Sequence, residues 1–311
     1  MRQDISIETR RVRVRDGVAL HVASYRAPSP SHARPVLCLP GLTRNGRDFH
    51  DLALAMAATG RAVHTLDARG RGHSDWDKDW RNYTIPYEAQ DVLDVIVALS
   101  LDAPAIVGTS RGGLVAMVMA ALQPGAFGPV VLNDIGPVID IKGLTRIAGY
   151  IGRTGTPPTW QEAAVLVAAA NRKAFPAVPD AQWAAVARQW FNDKDGRPAE
   201  GYDPALARTM SVKDGPPPAL WAQYLAFGAR PVLVIRGERS DILSDATLEE
   251  MRRRLPQCQT LTVQGEGHAP LLSDAPTISA ILGFLAAADD PQRAAPLATD
   301  VPAVVTRSGL G

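Results

Sequence analysis

Cysteine is scarce: two residues, Cys38 and Cys258, in a chain of 311. Neither stands in a C-x-x-C pair, which excludes zinc-ribbon, iron–sulfur and dithiol redox motifs. Cys38 lies in the apolar run Val36-Leu37-Cys38-Leu39 and reads as a buried, inert thiol. An excess of one charge is also missing. Lys plus Arg is 33 and Asp plus Glu is 32, a net charge of +1, so there is no basic footprint for nucleic acid or an anionic membrane. No run of 18 apolar residues occurs, and a membrane-spanning helix is not expected. Residues 1–6, Met-Arg-Gln-Asp-Ile-Ser, show no apolar core or small-residue cleavage site, and a cytoplasmic address is the expectation. There is no H-x-x-x-H or H-E-x-x-H string, so neither a metal nor a cofactor is implied. What the chain does have is 46% apolar and 21% charged residues, the balance of a globular protein. Its length allows a core that needs no disulfide or metal.

Patterning then divides the chain. Residues 11–15 and 18–25 alternate with period two around Asp16-Gly17, a hairpin signal. Short apolar runs at 36–39, 61–66, 105–108 and 129–132 read as buried parallel strands. Helical spacing at 48–59, 85–99 and 114–122 falls between them. Such alternation is the signature of a parallel sheet with helices on both faces. It stops at residues 138–227, which carry four of the six tryptophans (Trp160, Trp183, Trp190, Trp221). Helical segments are expected there near 159–174, 180–191 and 218–227, and no strand. Alternation resumes with strands at 231–235 and 259–263 and helices at 246–255 and 276–287. The division is a core of 1–137 and 228–288, a helical insertion at 138–227, and a poorly packed tail at 289–311 rich in Ala and Pro. No heptad pattern marks an oligomer interface.

Gly108-Thr109-Ser110-Arg111-Gly112 fits G-x-S-x-G between an apolar strand and an apolar helix. A turn so tight excludes a Cβ two residues to either side of the serine and lifts its hydroxyl to a helix N-terminus, where negative charge is favoured. A serine hydroxyl needs a base to take its proton, and the base needs a third group to orient it. Five histidines precede Ser110. Only His268 follows it, in Gly265-Glu266-Gly267-His268, just beyond the last strand. The ends of parallel strands are where open α/β sheets collect their active residues. For the acid, three residues after the strand at 231–235 compete. Glu238 is close to the strand end, Asp245 has the character of a helix start, and Asp241 is the preferred candidate with Glu238 its rival.

The order Ser110, Asp241, His268, the glycine-flanked turn and the insertion before the acid strand resemble the α/β-hydrolase fold superfamily. Within it they resemble the lidded esterase-like and meta-cleavage-product-hydrolase-like members, over residues 10–288. Leu39-Pro40-Gly41-Leu42 stands where that family has His-Gly-x, and Asp67-Ala68-Arg69-Gly70-Arg71-Gly72-His73-Ser74 resembles its D-x-R-G-x-G-x-S loop. Two departures exist: Pro40 replaces the usual histidine, and one extra residue separates Gly237 from Asp241. The resemblance implies a mostly parallel eight-stranded sheet with a helical lid and no cofactor. It also implies an oxyanion hole of the Leu42 and Arg111 backbone N–H groups and a small-molecule acyl substrate. By it, Arg69, Arg71 and His73 belong to scaffold rather than to a phosphate site. The function it implies is a serine hydrolase of carboxylic esters. The alternatives are a carbon–carbon bond hydrolase of ring-cleavage products, a lactonase, or a ligand-binding protein that keeps the fold without turnover.

Overall fold

A computed structural model describes residues 4–153, 155–210, 215–290 and 300–301. The strands are β1 (Ser6–Arg13), β2 (Ala19–Arg26), β3 (Val36–Leu39), β4 (Val63–Leu66), β5 (Ala105–Thr109) and β6 (Val130–Asn133). After the insertion come β9 (Val232–Gly237), β10 (Cys258–Val263) and the two-residue β11 (Asp300–Val301). Their order in the sheet is β1-β2-β4-β3-β5-β6-β9-β10-β11. Pairing is antiparallel across β1, β2 and β4 and parallel from there on. The expected mostly parallel eight-stranded sheet is present, with β11 added at its edge. The rest of the expected loose tail, residues 291–299 and 302–311, lies outside the described residues.

The apolar runs read as strands because they bury both faces. Leu37, Leu39, Ile106, Val130, Leu132, Val232 and Val234 point to one face, beneath α2 (Ile85–Ala98), α3 (Arg111–Leu122) and α8 (Asp245–Arg254). Val36, Cys38, Ala105, Val107, Val131, Leu233 and Ile235 point to the other, beneath α1 (His50–Ala58) and α9 (Ala275–Asp289). A period of two therefore splits each run between two cores.

The insertion holds α4 (Ile141–Tyr150), α5 (Trp160–Asn171), α6 (Gln182–Trp190) and α7 (Trp221–Leu225). It also holds a hairpin of β7 (Asn192–Lys194) and β8 (Arg197–Ala199), which corrects the expectation of no strand there. Asp195 and Gly196 both have positive φ, the conformation a tight hairpin turn demands. The strands are three residues each, with Pro198 the one buried residue between them, too short for alternation to register. Helix α4 was not expected either; Asp140 caps it through the Lys142 N–H. Ala163, Val167, Phe175, Trp183 and Val186 give α5 and α6 a core of their own. Arg47 and Asn45 fasten that core to the sheet through the Gln189 carbonyl, at 3.3 and 2.8 Å. Tyr224 of α7 instead buries in the main core.

Candidate active site

Ser110 sits between β5 and α3 with φ 50° and ψ −113°, a strained backbone for a residue with a side chain. Its neighbours explain the motif. A Cβ on Gly108 would lie 2.6 Å from the Gly113 nitrogen, and one on Gly112 would lie 2.1 Å from the Leu39 carbonyl oxygen. Only glycine closes this turn. Asn133, the last residue of β6, steadies it: its carbonyl accepts the Ser110 N–H at 2.9 Å, and its side-chain amide donates to Thr109 and to the Pro270 carbonyl.

The loop after β10 brings in His268. Its Nε2 lies 2.8 Å from Ser110 Oγ. Its Nδ1 lies 2.8 Å from Oδ2 of Asp134, not of Asp241. Asp134 is the first residue past β6. It has φ 56°, a left-handed conformation that Asp adopts more readily than most, and its side chain is fully buried. Its backbone N–H continues the ladder to the Ile235 carbonyl at 2.7 Å. Oδ1 accepts the Gly237 N–H at 2.9 Å and Oδ2 accepts the Ser240 hydroxyl at 2.7 Å. The turn after β9 therefore serves the histidine indirectly, by holding Asp134.

Asp241 is placed elsewhere, and the expectation that it would face His268 is corrected. Its carboxylate grips Arg146 of α4, with Nε at 2.6 Å and Nη2 at 2.8 Å. The loop turns tightly at Ser240, whose Oγ accepts the N–H groups of Ile242 and Leu243, so Ser240 faces inward and Asp241 faces the insertion. Burial pushes the Asp241 carboxyl up, but Arg146 outweighs it and leaves the pKa below the usual range. Glu238, the rival, accepts the Gly265 N–H at 2.8 Å and braces the histidine loop from outside. A signal for Asp134 existed in the sequence. It is a carboxylate directly after a buried strand, at the sheet edge where Ser110 and His268 emerge.

Leu42 and Arg111 flank the serine. A Cβ on Gly41 would stand 3.8 Å from Ser110 Cβ, and Arg111 is the first residue of α3, where an N–H has no acceptor within the helix. Arg71 Nε donates to the Leu42 carbonyl at 2.8 Å. Both arginines of the Arg/Gly loop are buried and ion-paired: Arg69 with Asp91, Asp77 and Asp16, and Arg71 with Glu88. No phosphate cradle is left among these arginines.

A cavity of about 490 Å³ opens over Ser110 and His268. Leu42 and Pro270 line it from the sheet side, and Ile147, Leu166, Val167, Trp183 and Trp190 line it from the insertion. Of the four insertion tryptophans, these two reach it. Trp160 instead donates to the Gly196 carbonyl at 2.9 Å under Arg188, and Trp221 lies beneath Arg254. Beside the site, burial pushes Glu266 up to about 7, with one backbone donor, the Leu271 N–H at 2.8 Å, against it. Among the described residues no cluster of three His, Cys, Asp or Glu side chains is arranged to hold a metal ion, and no helix is long and apolar enough to cross a membrane.

A hydroxyl bonded to an imidazole whose other nitrogen meets a buried carboxylate is the arrangement that activates a serine for acyl transfer. The fold that carries it has a family. Residues 34–275 match the model of the alpha/beta hydrolase fold, and the chain belongs to that family as a hydrolase. It is 32% identical over 270 residues to the 3-hydroxybutyrate-oligomer hydrolase of Cupriavidus necator, covering 82% of this chain and 89% of that one. An alpha/beta hydrolase of Novosphingobium aromaticivorans superposes with a TM-score of 0.83 at 36% identity, covering 93% and 99% of the two chains. An esterase of Mycobacterium tuberculosis superposes with a TM-score of 0.67 at 25% identity, covering 90% and 92%.

Proposed function

We propose that the protein is a serine esterase that works through an acyl-enzyme, with Ser110, His268 and Asp134 as its triad. The observation that carries this reading is the unbroken relay from Ser110 Oγ through the imidazole to a buried carboxylate, at 2.8 Å in each link. Ser110 attacks the ester carbonyl while His268 Nε2 takes its proton. Asp134 holds the Nδ1–H and stabilises the imidazolium. The Leu42 and Arg111 backbone N–H groups hold the oxyanion, each worth about 3 kcal/mol in sites of this kind. His268 returns the proton to the leaving alcohol, then activates the water that releases the acid.

The insertion acts as a lid over this site, and its apolar side chains favour a short to medium acyl chain. Oligomers of 3-hydroxybutyrate, which are small esters of this size, are the first substrates to try. The reading is tested by fluorophosphonate labelling of Ser110 together with hydrolysis of the 3-hydroxybutyrate dimer, p-nitrophenyl esters, lactones and ring-cleavage dienones. Labelling and ester turnover are expected. A protein that is neither labelled nor cleaves any ester overturns the esterase, and turnover confined to dienones moves it to carbon–carbon hydrolysis.

A further inference from the structure

An oxyanion hole built from Leu42 and Arg111 draws its donors from two separate elements, the loop after β3 and the first turn of α3. Something must fix their spacing. Glu88, buried on α2, touches both arms at once. Its Oε2 accepts Arg111 Nε at 2.7 Å and its Oε1 accepts Arg111 Nη2 at 3.1 Å, a two-point grip on the residue next to Ser110. The same Oε1 accepts Arg71 Nη1 at 2.6 Å, and Arg71 Nε donates to the Leu42 carbonyl at 2.8 Å. Arg71 is fully buried, and a guanidinium is planar, so the directions of its Nε and Nη1 bonds are fixed relative to each other. The position of Leu42 is thereby referred to the same carboxylate as the position of Arg111.

Resting on the esterase reading, we infer that Glu88 is a positioning residue that sets the spacing of the oxyanion donors and touches no substrate. A buried ion cluster that served only to hold the Arg/Gly loop would need no arm to the serine turn. Here one guanidinium of the cluster belongs to the residue that follows the nucleophile. Burial raises the carboxyl of Glu88, but the two guanidiniums outweigh it and hold it below the usual range, so it stays ionised. Being acceptor-only, it satisfies donors on both sides.

The test uses the full chain with Glu88→Gln, steady-state kinetics on a short p-nitrophenyl ester, and inhibition by a trifluoromethyl ketone that forms a tetrahedral adduct on serine. With the donors misplaced, kcat falls about 30-fold, KM stays within about twofold, and ketone affinity falls by the same factor as kcat. Full kcat and ketone affinity in a folded Glu88→Gln protein overturn the inference, as does a loss of ketone affinity matched by an equal rise in KM. If Glu88→Gln does not fold, Arg111→Met cuts the grip on the serine turn while keeping the backbone N–H. It is expected to show the same pattern at about fivefold, and an unchanged kcat overturns the role. Absence of fluorophosphonate labelling in the unmutated protein overturns the esterase reading and this role together. Normal ketone affinity in the variants overturns only the role of Glu88.

Discussion

The turns after β6 and after β9 follow neighbouring parallel strands and each carries an aspartate, but Asp134 faces the histidine loop whereas Asp241 faces the insertion. After β6 Asp134 comes at once, as the first residue past the strand, buried, with a hydroxyl, a backbone N–H and His268 as its donors. The turn after β9 curls through Glu238, Arg239 and Ser240 before Asp241 emerges, partly exposed, on the guanidinium of Arg146. The difference teaches what an orienting acid requires. It must lie at the strand end, away from solvent, and free of a competing cation. A carboxylate already held at two points by arginine has little left to offer an imidazole.

The largest expected effect breaks the site altogether. Ser110→Ala should lose more than about 10⁴-fold in ester turnover while keeping the fold, because the hydroxyl is needed only in the chemical step. Circular dichroism with an activity assay checks both halves. The comparison itself is tested next. Asp134→Asn should lower kcat by about 10⁴-fold by favouring the wrong imidazole tautomer, whereas Asp241→Asn should cost less than about tenfold. Reversed magnitudes would return the acid to the loop after β9.

These two aspartates also show where sequence reasoning reached and where it stopped. The serine turn was legible because Gly108 and Gly112 are demanded by contacts under 3 Å, and steric necessity leaves a motif. His268 was legible by elimination. The alternation of strand and helix was legible because each strand buries two faces. The acid was not, since its choice depends on which of two adjacent loops turns inward, and Ser240 and Arg146 decide that from 106 and 95 residues away along the chain. The hairpin of β7 and β8 escaped for another reason: polar strands of three residues have no apolar period to read.

A smaller effect contrasts sheet with insertion. Leu166 on α5 lines the cavity but is partly exposed, so Leu166→Ala should enlarge the pocket at little cost in stability. The preferred acyl chain should lengthen, with kcat/KM for a longer ester rising about fivefold relative to acetate. A series of p-nitrophenyl esters measures it. An unchanged chain-length profile would place the acyl group elsewhere.

The smallest expected effect concerns a third acid, in the loop after β10. Glu266 is buried and has no ion pair among the described residues, so its carboxyl is pushed up to about 7 from an ordinary value of 4.5. Between those values the folded protein keeps a proton that the unfolded chain has already released. Stability contributed by this group is therefore complete below about 4.5 and is lost as pH rises through about 7. Glu266→Gln keeps an acceptor for the Leu271 N–H and removes the titration. The variant's melting temperature should match the parent's at acid pH and exceed it by about 2 °C near pH 8. Thermal melts across that range measure the difference. A gap that is constant with pH, or that widens toward acid, would mean that Glu266 is ionised in the fold and that the histidine loop tolerates a buried charge.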